Sequence, residues 1–155
     1  MATRTAYDAT LGSVLTAANL DRHAGGWIGH NEVTADQGPI TSAVDGTGLS
    51  LTVTVNTARK IRVSGRAGFT STVNTDVAAL FITDGANVVQ QEGYALMAMA
   101  TAASHFVEVS RVLNASAGSN TWKLRLQRSG SGTMTMTASS TKPAFILIED
   151  IGPSS

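Results

Sequence analysis

The side chains of this sequence that could do chemistry are few and scattered. His23, His30 and His105 lie far apart, and none stands at a zinc-type spacing. The chain has no cysteine, so disulfides and thiolate metal sites are both excluded. His30 and Glu32 are spaced to share one strand face, a pair able to respond to pH. Glu149-Asp150 is a pair of adjacent carboxylates. General acid–base work needs a second, perturbed group across a cleft, and no partner is evident. The pair is expected to end a strand at the surface, or to meet Lys or Arg across a subunit boundary. Asp45-Gly46 and Asp84-Gly85 start like calcium loops but do not continue into alternating carboxylates, and read as turns. Arg59, Lys60, Arg62 and Arg66 form the densest basic cluster. Lys60, Arg62 and Arg66 share a face that is either solvated or turned to an acidic partner or a glycan. Asn114-Ala115-Ser116 fits a glycosylation acceptor, which carries no weight without a secretory signal. Ser129-Gly130-Ser131-Gly132 is hairpin chemistry, since phosphate binding needs a helix to follow it. No nucleophile elbow, P-loop or dinucleotide fingerprint occurs. The expectation is a protein without catalytic residues, cofactor or metal, and not an enzyme.

Composition points the same way. Lys+Arg and Asp+Glu stand at 11 each in 155 residues, so the basic footprint of a nucleic-acid partner is missing. Charged residues are 14%, low for a soluble monomer, which suggests a Thr/Ser-rich surface or one hidden in an assembly. The first residues lack the apolar run of a signal peptide, and no stretch reaches the length of a membrane helix. The expected site of synthesis is therefore the cytoplasm, with no membrane partner.

Strands must position whatever this chain presents. Runs of Val, Ile, Leu and Thr, broken by Gly, Asp and Ser, predict strands over 27–34, 38–44, 49–55, 59–72, 76–83, 87–97, 104–112, 120–128, 132–138 and 143–151. Such regular short strands signal a sandwich, jelly roll or barrel. Gly65 and Gly68 suggest a bulge in the fourth run, and Asp84-Gly85-Ala86 a hairpin turn. Residues 1–24 read differently. Leu11, Val14, Leu15 and Leu20 fall partly at helical spacing, and Gly25-Gly26 ends the segment. The expected organisation is a docking leader over 1–24 and one β-domain over 25–155, with those four side chains as the docking residues.

Most runs alternate apolar with polar residues, as half-buried strands do. In 120–128, Trp122, Leu124 and Leu126 oppose Lys123, Arg125 and Gln127, and both Trp27 and Trp122 read as core-facing. Two runs break the rule. Val77 to Ile82 and Ala144 to Ile148 are apolar on both faces. One core can cover only one face of each, so the other is expected to meet a second copy of the chain, the alternative being the leader folded over it within one subunit.

This pattern of strands, with doubly apolar runs at 76–83 and 143–151, resembles the C1q/tumour-necrosis-factor-like jelly roll. The resemblance implies an all-β, antiparallel, ten-stranded jelly-roll sandwich that packs around a threefold axis, with Ala79, Phe81, Ile146 and Ile148 at the subunit interface and Phe145 and Leu147 in the core. The family's collagen-like stalk is missing. Gly25-Gly26-Trp27-Ile28-Gly29, Val33 to Gly38 and Ala144 to Pro153 look like a family of small actinobacteriophage virion proteins of the capsid-surface or minor-tail type. That likeness implies a homotrimer located on the virion. Its partners would be itself and a major capsid protein or another virion protein, and its role to decorate the capsid and bridge capsomers. The alternative it implies is a tail or tail-tip protein that binds a host receptor or glycan.

Overall fold

The computed structural model describes residues 26–154, apart from residue 102 and the side chains of residues 91 and 92. The leader, with Leu11, Val14, Leu15, Leu20 and His23, lies outside the described residues. Ten strands are described: β1 (Gly26–Val33), β2 (Gln37–Ile40), β3 (Val44–Val55), β4 (Arg59–Ser71), β5 (Val77–Asp84), β6 (Val89–Ala98), β7 (His105–Ala115), β8 (Gly118–Ser129), β9 (Met134–Thr137) and β10 (Ala144–Pro153). Each predicted run has its strand, except that 38–44 is divided between β2 and the start of β3.

The strands form two antiparallel sheets. One runs β3-β8-β5-β6. In the other, β4 is the spine. It pairs with β7 from Arg59 to Phe69 along one edge, and with β10 and then β9, end to end, along the other. β1 closes the far side of β10, and β2 the far side of β9. Consecutive strands pass repeatedly between the sheets, so each sheet is built from strands distant in sequence. This is a jelly-roll sandwich, as expected.

Leu80, Ile82, Leu124 and Leu126 from one sheet meet Ile61, Val63, Phe69, Ile146 and Ile148 from the other, all fully buried. Gly65 sits opposite Leu124. A Cβ there would lie 2.5 Å from Leu124 Cδ2, so glycine admits the leucine between the sheets. That is the reason for the glycine. The expected bulge is absent at this point, where β4 and β7 keep register without a shift. Irregularities fall elsewhere, between Trp27 and Gly29, Gln37 and Ile40, Asp45 and Ser50, Phe81 and Thr83, and Asp150 and Gly152.

Two predicted turns also change character. Ser129 to Gly132 does turn the chain, with Gly130 at φ 129°, but it links β8 to β9 in the opposite sheet and so makes no hairpin. Asp45-Gly46 lies inside the irregular β3, where the Asp45 carboxylate accepts from Lys123 Nζ at 2.8 Å. The turn at Asp84-Gly85 is a hairpin, its Asp84 Oδ1 accepting from the N–H groups of Ala86 and Val88, both at 2.9 Å.

Candidate functional site

With a filled core between the sheets, the candidate sites are the two outer faces. Ile146 and Ile148 cannot serve there. Both are fully buried in the subunit core, and Phe145 and Leu147 are the partly buried pair on the outer face. The assignment of the two faces of this strand is therefore reversed. Pairing supplies the reason. Ile146 sits between Asn31 and Gly65, and Ile148 between Gly29 and Val63, whereas Phe145 sits between Glu32 and Arg66. Turning Phe145 inward would carry both charged neighbours into the core. A second correction follows from topology. β5 and β10 belong to opposite sheets, so their outer faces point away from each other and cannot both turn to one threefold centre.

Among the described side chains, the outer face of β5 and β6 carries an apolar cluster, beside Lys123, Arg125 and Gln127 of β8. Phe81 pairs with Tyr94, Ala79 with Leu96 and Val77 with Ala98, so all six side chains share that face. Tyr94 is 53% and Leu96 60% exposed, with Val89 continuing the patch beyond the bulge. The rings of Phe81 and Tyr94 lie 6.2 Å apart. Ala79 and Phe81 thus lie on the outward phase of β5, although Ala79 is itself buried. Tyr94 and Leu96 were not anticipated. The signal existed, since Tyr94 to Ala100 is apolar in both phases, as Val77 to Ile82 is. β6 is also the edge of its sheet. Large apolar side chains on an unpaired edge are what monomeric proteins avoid.

The outer face of the β4 sheet has a different character. Register places Trp27, Glu149, Arg62 and Val112 in one rung across four strands, His30, Leu147, Ser64 and Ser110 in the next, and Glu32, Phe145, Arg66 and Glu108 in a third. Trp27 is 71% exposed, so the expectation that it faces the core is wrong, while Trp122 is buried as expected. The bulge beside Trp27 sets its phase, which strict alternation could not supply. Trp27 stacks on His30 at 6.3 Å, and His30 lies 6.2 Å from the Phe145 ring. Arg66 covers Phe106 at 4.2 Å. His30 and Glu32 do share a face, and so do Lys60, Arg62 and Arg66. His105 stands apart on β7, where its Nε2 accepts from the Ala100 N–H at 3.3 Å.

The adjacent carboxylates do not act as a pair, because they occupy opposite faces. Glu149 points outward, 3.5 Å from Arg62. Asp150 points inward to the buried Arg59, which donates to it from Nε at 3.0 Å and Nη2 at 2.7 Å. Both arginines belong to the same subunit as the carboxylates. A third carboxylate escaped notice. Asp76 is buried, and its oxygens accept from Ser71 Oγ at 2.6 Å and from the N–H groups of Ser131 and Gly132 at 3.0 and 3.2 Å. The Ser71 hydrogen bond, helped by the Gly132 N–H, the Arg128 charge and the Ser131 N–H, holds this carboxyl below its ordinary range despite burial. It fastens the β4–β5 loop to the β8–β9 turn and is a structural clasp. Among the described residues no three His, Asp or Glu side chains come together in a metal-binding group, and no helix is long and apolar enough to cross a membrane.

No protein-family model matches the chain, and no curated protein does. Solved structures similar to it include an Eiger TNF from S. frugiperda, at 10% identity and TM-score 0.49, covering 84% of this chain and 96% of that one. Infectious bursal disease virus, Gt strain, matches at 11% identity and TM-score 0.39, over 84% of this chain and 37% of the viral one. T=1 particles derived from infectious bursal virus match at 11% and 0.39, over 85% and 35%.

Proposed function

We propose that this protein is a non-enzymatic structural component of a phage particle, a homotrimer that sits on the capsid surface and bridges or stabilises neighbouring capsomers. The observation that carries the reading is the apolar cluster on the outer face of β5 and β6, with Tyr94 and Leu96 more than half exposed on an edge strand. Burying a leucine or tyrosine fully stabilises by roughly 1.5–3 kcal/mol each, so a few such side chains suffice to close an oligomer. In the trimer this face turns to the threefold axis, and the partners are other copies and the major capsid protein. A sandwich with a filled core and, among the described residues, no gathered acid–base pair suits a mechanical role. The alternative is a tail or tail-tip protein with a host receptor or glycan as ligand, and exposed Trp27 is the observation in its favour.

Sedimentation velocity of the purified chain tests the assembly. A trimer is expected at micromolar concentration, and Phe81→Asp or Leu96→Asp should give a folded monomer with unchanged β-sheet circular dichroism. A wild-type monomer would remove the central inference. Imaging labelled particles then places the protein on the head or at the tail, and a tail-only signal selects the alternative.

A further inference from the structure

The two outer faces differ in kind, and the difference assigns the second one. The β5–β6 face presents mainly apolar side chains, with Lys123 and Arg125 of β8 at its border. The β4-sheet face combines exposed aromatic rings with hydroxyl, carboxylate and guanidinium groups on adjoining rungs. We propose that this second face is a binding surface for a neutral oligosaccharide, running from Trp27 past His30 to a depression beside Phe145. The inference does not depend on where on the particle the protein sits.

The depression has a volume of about 270 Å³. Phe145 walls it, the Gly65 backbone lies at its base, and Ser64 and Ser110 line it with hydroxyls 2.8 Å apart. Glu108, 70% exposed, stands at the rim with Arg66 Nε 3.8 Å away. A sugar ring matches this arrangement group for group. Its C–H face packs on an aromatic ring, and its hydroxyls both donate and accept. A carboxylate can take protons from neighbouring hydroxyls while a guanidinium and serine hydroxyls supply the complement. Trp27 and His30 extend the platform beyond the depression, so the ligand is a chain of sugars and not a single ring. Trp27 offers a large apolar surface at low entropic cost, the property that makes exposed Trp an anchor.

Charge selects among ligands. On the three rungs Arg62 and Arg66 meet Glu32, Glu108 and Glu149, with Lys60 and Lys142 at the margins. An anionic glycan would meet as much repulsion as attraction, which favours a neutral one. The same charges argue against a second copy as the occupant. A dry subunit contact would strip water from Arg62, Glu149, Arg66 and Glu32, at a cost their mutual attraction need not repay. A glycan leaves the rim wet.

The test is a printed panel of neutral oligosaccharides with heparin as the anionic control, followed by titration of the best binder against tryptophan fluorescence. Trp122 is buried, so the exposed Trp27 should report binding. A neutral glycan should bind with little dependence on salt, and Trp27→Ala should weaken it about tenfold, the loss of one anchoring aromatic. Phe145→Ser should weaken it as well, with both variants melting near the wild-type temperature. Leu96→Asp, on the other face, should bind as wild type does, so binding survives even if the assembly reading fails. No binding across the neutral panel, or unchanged affinity in Trp27→Ala, overturns the proposal. Salt-sensitive binding to heparin alone overturns it too, in favour of an anionic ligand.

Discussion

Gly65 and Leu124 hold the two sheets in register with each other, and a double-mutant cycle between them measures that contact. A methyl group at Gly65 would stand 2.5 Å from Leu124 Cδ2 and 2.9 Å from Cγ, and would press on Cδ1 as well, where ordinary contacts begin at 3.4 Å. Leu124 is fully buried, so it has no solvent to swing into. Gly65→Ala should therefore cost about 1–3 kcal/mol through overpacking, even though alanine narrows the unfolded ensemble. Leu124→Ala alone should cost about 2–5 kcal/mol, the range for a buried leucine left as a cavity. In the double variant the new methyl enters that cavity, so the two losses should not add. A favourable coupling of roughly 1–3 kcal/mol is expected, within the range seen for residues in contact. Urea unfolding followed by Trp122 fluorescence supplies the numbers, in the Leu96→Asp background so that assembly does not enter the equilibrium. Additivity within about 0.5 kcal/mol would mean that the sheets do not meet at this pair, and the description of the core would be wrong.

Two further predictions concern buried groups. Ile148→Ala should cost about 2–5 kcal/mol in the same unfolding assay, while the partly buried Leu147→Ala should stay below about 1.5 kcal/mol; the reverse order would restore the original assignment of faces in β10. Asp76→Asn should lower the melting temperature at neutral pH, because an amide puts a donor or a weaker acceptor against the Ser131 and Gly132 N–H groups. The native carboxyl titrates below its unfolded value, so its contribution is complete above about pH 3.9 and is lost as pH falls through the folded pKa. Asp76→Asn should remove that part of the acid sensitivity, and an unchanged slope of stability against pH would show the clasp to be inert.

The strands were legible in the sequence because side-chain period and turn chemistry are local. Leu49, Leu51, Val53 and Val55 alternating with Ser50, Thr52 and Thr54 predict β3 without reference to any other residue. What local pattern cannot give is the partner. Ala144 to Ile148 offers two apolar phases, and choosing between them requires knowing that Arg66 and Glu32 flank Phe145 while Gly65 flanks Ile146. Those pairings join residues far apart in sequence. The same limit hid the separation of β5 and β10 into opposite sheets, which two similar apolar runs gave no means to detect. Trp27 fell to a different cause, a bulge on an edge strand that shifts the phase by one residue. The pairing of Arg59 with Asp150 is also invisible locally, since each charge sits beside another of its own sign, Lys60 and Glu149, that faces the opposite way.

A jelly roll of this size has one filled interior and two exteriors, so its chemistry must be divided between the exteriors or confined to one. Here the division follows from what the flanking strands contribute. β6 adds Tyr94 and Leu96 beside Phe81 and Ala79, an apolar strip bordered on the β8 side by Lys123, Arg125 and Gln127. Water gains by leaving it, so a protein surface that excludes water is its natural complement. β4 adds Arg62 and Arg66 beside Phe145 and Leu147, and β1 adds Trp27 and His30. Drying that face would strand charges, so its complement must bring hydroxyls or keep water. Assembly through the first face leaves the second exposed on every copy. A trimer would then present three weak glycan surfaces at fixed spacing, and avidity on a dense saccharide coat would exceed the affinity of any one of them. Monomeric Leu96→Asp and the wild type should therefore bind a soluble oligosaccharide equally, and a surface coated with it very differently.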